Sequence, residues 1–179
     1  MKATGIVRRI DDLGRVVIPK EIRRTMRIRE GDPLEIYTDA NGEVIFKKYS
    51  PIGELGPYTK QYVEVLNRTT GLPAIICDRD HIIAAAGIPK KDVIEKRISP
   101  MAESYMEKRQ NYVCSESKDE FTACDGNDRK VGVLCPIVGA GDVMGAVMVL
   151  TNGNDAPPSQ TEIKLTQVAA GFLGKQMEE

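Results

Sequence analysis

The sequence predicts a mixed α+β protein in two modules, a small β-rich module followed by a larger module in which helices flank an antiparallel sheet. Short apolar segments separated by turns run through the first fifty or so residues. The next stretch, Ser50–Pro57, has two prolines and two glycines in eight residues, a composition typical of a linker. Beyond it, longer helical and strand patterns alternate. We therefore predict a first domain at 1–50, a linker at 51–57 and a second domain at 58–179.

The first module is predicted to contain four short strands. They are Gly5–Ile10, Arg15–Ile18, Leu34–Tyr37 and Glu43–Lys48. The pair Asn41-Gly42 lies between the last two strands and is a strong hairpin signal, because both residue types tolerate positive φ. Pro19 suits the first position of a helix, which we expect to end near Gly31.

A module of this size buries little core of its own and needs a staple or a partner chain. Residues 1–50 contain no cysteine and no histidine, so neither a disulfide nor a zinc site can supply the staple. Strand Gly5–Ile10 also lacks a clean apolar/polar alternation, which an interlocked dimer with contacts on both faces would tolerate. We therefore expect the first module to be a dimer.

The second module is predicted to run from helix to antiparallel sheet to helix. Its predicted elements are a helix Tyr58–Thr69, strands Leu72–Asp78 and His81–Ala86, helices Lys90–Arg97 and Pro100–Arg109, a polar loop Asn111–Lys130 and a hairpin of Val131–Val138 with Val143–Leu150. A capping box, Ser159 to Glu162, begins the final helix. The apolar stripes of the first and last helices fit either a monomer core or a dimer bundle, and both alternatives remain open.

The net charge of −1 conceals an uneven distribution. Residues 1–29 carry nine lysines and arginines against three acids, a balance of +6. Residues 30–50 carry two against five, and the rest of the chain fourteen against eighteen. A localised basic region on a neutral protein indicates a polyanion partner, although charge alone is equally compatible with a solvated basic surface.

The stretch from Gly5 to Ile28, with the core Asp11-Asp12-Leu13-Gly14-Arg15-Val16-Val17-Ile18-Pro19, closely resembles the DNA-binding domain of the AbrB-type transition-state regulators. Gly31-Asp32-Pro33-Leu34 continues the match. The resemblance implies a swapped-hairpin fold, in which two chains interleave their hairpins into one β-barrel that binds double-stranded DNA. The second module resembles a GAF sensor domain. Together they imply a homotetramer, with dimers formed by the barrels and joined through the GAF-like domains.

The resemblance also implies which residues contact DNA. Family members present arginines, and the matching positions are Arg8, Arg15, Arg23 and Arg24. Arginine suits the task because its planar fork makes bidentate bonds to phosphate and to guanine. Cations more suited to phosphate alone are Lys2, Arg9, Lys20 and Arg27. Family members recognise loosely defined, often A/T-rich sites, which suggests that DNA shape is recognised beside base edges.

A GAF-like domain implies a small-molecule pocket between the sheet and the connecting loops, here 72–86 and 111–130, with an unidentified ligand. No cofactor is predicted. The four cysteines form no Cys-x-x-Cys pair, and the single His81 suits an exposed turn. The segment Cys124–Asp128 lacks the alternating oxygen ligands of a calcium loop, so no metal site is predicted.

The function implied is transcription regulation, with activation and repression of genes in the developing forespore. No apolar run is long enough to span a membrane, which predicts a cytoplasmic protein on the nucleoid. Two other functional classes share parts of this sequence pattern. A GAF-fold thiol enzyme of the methionine sulfoxide reductase type needs an activated cysteine, and Cys114, Cys124 and Cys135 have no neighbouring histidine. An antitoxin would share the swapped hairpin but usually carries a disordered tail. The prediction is therefore a regulator and not an enzyme.

Overall fold

The computed structural model describes residues 4–153 and 156–178, so the candidate Lys2 lies outside the described part of the chain. The chain divides into two compact units, Met1–Tyr49 and Ser50–Glu179, called unit 1 and unit 2 below. Each is described by itself. Among the described residues, every helix is too short or too polar to cross a bilayer.

The described part of unit 1 contains one helix and one regular hairpin: α1 Lys20–Met26, β1 Leu34–Thr38 and β2 Val44–Lys48. The two strands are antiparallel, with Ile36 directly opposite Phe46. Their turn closes where Gly42, at φ 82°, donates its N–H to the Asp39 carbonyl at 3.2 Å. The hairpin predicted from Asn41-Gly42 is therefore present.

The prediction of strands at Gly5–Ile10 and Arg15–Ile18 is wrong for the single chain. Within residues 4–49 neither segment forms a strand ladder, although the turn between them is closed by a 3.0 Å bond from the Asp11 N–H to the Arg15 carbonyl. A strand requires a hydrogen-bonded neighbour along its length, and these two segments pair only at their shared tip. The sequence signals the turn correctly but not the pairing.

Helix α1 is shorter than predicted and ends at Met26 rather than near Gly31. Arg27 adopts the left-handed conformation at φ 50°, and the Ile28 N–H reaches back to the Arg23 carbonyl at 2.8 Å. This is the hydrogen bond of a Schellman motif, a common helix stop that glycine usually provides. Because arginine replaces glycine here, composition gave no sign of the stop.

Unit 2 contains a five-stranded antiparallel sheet in the order β4-β3-β7-β6-β5. Its strands are β3 Ala74–Cys77, β4 Ile82–Ala86, β5 Tyr112–Val113, β6 Val131–Gly139 and β7 Asp142–Leu150. Its helices are α2 Pro51–Glu54, α3 Gly56–Thr70, α4 Pro100–Glu107 and α5 Gln160–Gln176. The predicted capping box begins α5: Ser159 Oγ accepts the Glu162 N–H at 3.3 Å, and the Glu162 carboxylate accepts the Ser159 N–H.

Two cores lie on opposite faces of this sheet, because successive residues of a strand point to opposite sides. Ile76 and Val147 join helices α3 and α5 in one cluster. Ile75 and Met148 join α4 and the loop after it in the other. Each face of the sheet is therefore covered by the chain's own side chains.

The linker and one of the helices predicted in unit 2 differ from the structure. The stretch predicted as a linker is helical, forming α2 and the start of α3, and its Ile52 is fully buried in the cluster with α3 and α5. The prolines begin these helices rather than breaking the chain, since each occupies a first-turn position. The predicted helix Lys90–Arg97 is a single 3-10 turn, Lys90–Asp92, after which Glu95 turns at φ 62°.

Candidate DNA-binding surface

The first turn of unit 1 is Asp11–Gly14, closed by a bond from the Gly14 N–H to the Asp11 carbonyl. Arg15 directly follows this turn and is held there by Asp11. The Asp11 carboxylate accepts the Arg15 amide N–H at 2.7 Å and the Leu13 N–H at 3.0 Å through one oxygen. Its other oxygen accepts the Arg15 side-chain Nε at 2.9 Å. The hydrogen bonds from the Arg15 backbone and side chain lower the pKa of Asp11. Arg15 is exposed, so a fixed guanidinium is presented to solvent.

Arg23 and Arg24 are exposed on helix α1. The helix begins after Pro19, the one buried residue in the described part of unit 1. Arg23 donates its Nε–H to the Ile18 carbonyl at 3.2 Å. Arg15 and Arg23 are therefore anchored alike, through Nε, on acceptors of their own chain.

The C-terminal end of α1 is tied to the hairpin by Lys48. The Lys48 ammonium donates to the Arg27 carbonyl at 3.0 Å and lies 3.6 Å from the Asp32 carboxylate. Asp32 also accepts the Arg29 N–H at 2.8 Å. Cations at a helix C-terminus are favourable because the last carbonyls carry partial negative charge. Lys48 and Asp32 thus fix the helix that carries two candidate arginines.

All the described candidates are exposed: Arg8, Arg9, Arg15, Lys20, Arg23, Arg24 and Arg27. Arg8 and Arg15 flank one turn, and the other described candidates except Arg9 lie on or beside α1. Sequence reasoning missed the anchoring residues Asp11, Asp32 and Lys48. One signal could have found the first: the spacing Asp-x-x-Gly occurs at Asp11–Gly14 and again at Asp39–Gly42.

Of the two segments predicted to line a pocket in unit 2, 72–86 and 111–130, the second packs its side chains into a core. Tyr112 and Phe121 are buried with ring centroids 4.7 Å apart, and Tyr105 packs on Tyr112 at 5.1 Å. An open groove of about 970 Å³ is lined in part by the other predicted segment, 72–86: it lies between α3, strand β4 and the turn after it. Lys60 and Glu64 line it from α3, and Lys90 lines it from the 3-10 turn.

The cysteines of unit 2 are free thiols in apolar surroundings. Burial raises the pKa of Cys77 far above its ordinary value and raises the pKa of Cys135 to about 12. Burial also raises the pKa values of Cys114 and Cys124. No group of three or more potential metal ligands occurs among the described side chains. His81 is exposed, as expected of a turn residue.

Comparison with known proteins matches both units. Residues 54–178 match the family model "Stage V sporulation protein T C-terminal, transcription factor", and residues 7–53 match "Antidote-toxin recognition MazE, bacterial antitoxin". The chain is 52% identical over its full length to stage V sporulation protein T of Bacillus subtilis, all of which it covers. Over 51 residues, 28% of this chain and 52% of the relative, it is 63% identical to the transition state regulatory protein AbrB of the same organism.

Unit 2 also resembles a solved GAF domain from an Acinetobacter phosphoenolpyruvate-protein phosphotransferase, with a TM-score of 0.55 at 12% identity over 71% of this chain and 87% of that one. These matches define the class: an AbrB-like domain joined to a domain of GAF fold, in a bacterial transcription factor. The chain belongs to the stage V sporulation protein T family. The predicted mixed α+β fold class and the predicted family are both confirmed.

Proposed function

We propose that this protein is a sequence-specific DNA-binding regulator of sporulation genes, acting in the cytoplasm of the developing forespore as both activator and repressor. The observation that carries the proposal is the set of exposed arginines at the first turn and on α1, in a unit 63% identical to AbrB. Arg8, Arg15, Arg23 and Arg24 make the base or bidentate phosphate contacts. Lys2, Arg9, Lys20 and Arg27 bind phosphates.

Unit 1 acts as a dimer. Its apolar side chains have no place to be buried within one chain: Val7 is 85% exposed, Val17 is 71% and Ile36 is 61%. Two chains that interleave their hairpins would cover these side chains and would supply the missing neighbours for segments 5–10 and 15–18. A two-fold dimer also doubles the set of arginines, which suits a DNA duplex with its own pseudo-two-fold symmetry.

Unit 2 joins two such dimers into a tetramer through a second apolar surface. Tyr58 and Val65 of α3 and Val168 and Phe172 of α5 are 46–61% exposed, although both helices bury their opposite faces. Tyr62 stacks on Phe172 with ring centroids 5.5 Å apart, so the two rows are adjacent. We call these five residues the helix seam. A contiguous apolar seam of this kind is typical of a protein interface.

A small regulatory molecule would bind in the groove beside α3. The groove presents lysines and glutamates around an apolar floor that includes Ile83 and Ile94. Its wall is the helix that carries Tyr58 and Val65 of the seam. A ligand would therefore alter the spacing of the DNA-binding units only by binding one arrangement of the seam more tightly than another.

Other functions have less support. A thiol enzyme needs a thiolate near neutral pH, and burial moves the pKa of all four cysteines in the opposite direction. The match of residues 7–53 to an antitoxin model is a specific observation for a toxin partner. However, unit 2 has two hydrophobic cores, unlike a disordered toxin-binding tail.

The test of DNA binding is the double variant Arg23→Ala, Arg24→Ala in the full chain. Each arginine that contacts a base edge should contribute about 1–3 kcal/mol to operator affinity, while a phosphate contact should lower the salt slope by about one unit. The matched control is Lys108→Ala, Arg109→Ala, which removes the same charge from an exposed helix end in unit 2. Equal losses in the two variants, measured by fluorescence anisotropy, would mean that only net charge matters and would contradict the proposal.

A further inference from the structure

The two turns of unit 1 have the same architecture. In each, an aspartate accepts two backbone N–H groups from the residues two and four positions ahead, through a single oxygen. In each, the glycine three positions ahead has positive φ, 77° at Gly14 and 82° at Gly42. The aspartate N–H then donates to the carbonyl four positions ahead. Asp11 and Asp39 are therefore equivalent in what they do for the backbone.

The turns differ in what the second carboxylate oxygen holds. In the first turn it accepts the Arg15 Nε at 2.9 Å. In the second, the residue equivalent to Arg15 is Glu43, and the second oxygen accepts the Asn41 side-chain amide at 3.1 Å instead. The ion pair with arginine is thus an addition to a turn that closes without one.

The way in which Arg15 is held has a chemical consequence. A guanidinium offers five N–H donors, one on Nε and four on the two terminal nitrogens. Asp11 engages Nε, and no hydrogen bond from the terminal nitrogens occurs among the described residues. The end of the fork is the part that makes the bidentate bonds to guanine or phosphate. The Asp11 carboxylate also brings a negative charge beside a polyanion, which lowers affinity for any DNA sequence alike.

We propose that Asp11 is a positioning residue for DNA recognition: it fixes Arg15 through Nε so that the terminal nitrogens bind the operator, and it opposes binding to unrelated DNA. This rests on the proposed function of unit 1. Arg23, anchored by the Ile18 carbonyl without a nearby acid in that contact, lacks the second effect. Specificity is a difference between two affinities, and Asp11 acts on both.

The experiment uses the full chain and an operator obtained by selection from random-sequence DNA. Asp11→Asn keeps an oxygen for the two backbone N–H groups but removes the carboxylate from Nε. We expect affinity for the operator to fall about two- to fivefold, as for other exposed ion pairs, while affinity for unrelated DNA rises or stays unchanged. In an Arg15→Ala background, Asp11→Asn should cause no further fall in operator affinity.

Asp39→Asn is the matched control, because it makes the same change in the turn that lacks an arginine. It should leave the ratio of operator to unrelated-DNA affinity unchanged, and both variants should unfold at similar temperatures. The proposal is overturned if Asp39→Asn lowers the ratio equally, if Asp11→Asn lowers both affinities alike, or if Asp11→Asn still lowers operator affinity when Arg15 is replaced by alanine. If the unaltered chain binds no DNA at all, the proposed function fails first, and the two failures are thereby distinguished.

Discussion

Units 1 and 2 differ in how they satisfy their apolar side chains. Every buried apolar side chain of the two clusters lies in unit 2, from Ile52 to Leu173. In the described part of unit 1, apolar residues such as Val7, Val17 and Ile36 are mostly exposed. The sequence of unit 2 thus explains its own fold, whereas that of unit 1 encodes turns, a helix and a hairpin whose apolar side chains stay exposed in one chain and would be buried in the proposed dimer. Apolar content therefore predicts which residues are buried only when the partner that covers them is known.

The largest expected effects come from truncating one apolar side chain in each unit. Ile76 is fully buried in unit 2, so Ile76→Ala should cost about 2–5 kcal/mol of unfolding free energy at any protein concentration. Ile36 is 61% exposed in one chain, yet Ile36→Ala should cost about 1–2 kcal/mol because a partner chain would cover it in the proposed dimer. Hydrogen exchange of the full chain, followed by mass spectrometry, would report β3 and β1 separately.

If unit 1 is a dimer, its protection from hydrogen exchange should also depend on protein concentration. Dilution should weaken the protection of β1 and β2, since each tenfold dilution changes a dimer's free energy by about 1.4 kcal/mol. Protection of β3 should not respond. If Ile36→Ala lowered the free energy of unfolding by less than about 0.5 kcal/mol, it would behave as an ordinary surface substitution. That result would contradict an interlocked dimer of unit 1.

An effect of similar size is expected from the helix seam, whose side chains are half-exposed in one chain and would be buried in the proposed tetramer. Phe172→Asp places a charge at a half-exposed position beside Tyr62 and should convert the proposed tetramer into the proposed barrel dimers. Binding to one-site DNA should be retained, while binding to two-site DNA should fall about 100-fold as avidity is lost. Light scattering with one-site and two-site DNA measures both.

Gln167→Asp is the control, since it adds the same charge to an exposed polar position of α5. It should remain tetrameric. Val168→Asp, at a position 61% exposed, guards against a folding defect at Phe172 and should give the same dimers. If both seam variants stay folded and tetrameric, α3 and α5 do not form the interface.

Most elements of unit 2 were predictable because their signals are local. The capping box, the apolar strands β6 and β7, and the helix ending at Gly71 each follow from a few neighbouring residues. Loop 111–130 was predicted as polar, yet Tyr112, Phe121 and Cys124 contribute to a core. Those apolar residues are too far apart to form a periodic pattern, so only the tertiary structure brings them together.

In the candidate DNA-binding surface, the arginines could be predicted from the sequence, but the residue that holds Arg15 could not. The arginines follow from their motif, and their exposure is compatible with the predicted roles, which stay predictions. The acid that holds Arg15 was missed because an acidic residue beside DNA appears unfavourable until its hydrogen bonds are known. The equivalence of Asp11 and Asp39 depends on the positive φ of Gly14 and Gly42. The residue types and their spacing suggest this backbone conformation but do not determine it.

The smallest expected effect concerns acid, and it involves the two turns of unit 1. The pKa of Asp11 is lowered by its hydrogen bonds from the Arg15 backbone and side chain, and that of Asp39 chiefly by the Glu43 N–H, both from an ordinary 3.8. A lowered folded pKa means that the carboxylate stabilises the turn above the unfolded pKa. That contribution is lost as the pH falls through the folded pKa. Carbon NMR of the side-chain carboxyls should therefore place both midpoints below 3.8, with hydrogen exchange of β1 and β2 accelerating over the same range. Asp39→Asn should remove one midpoint and leave that of Asp11 in place. Midpoints at or above 3.8 for both aspartates would show that the turns do not depend on these carboxylates.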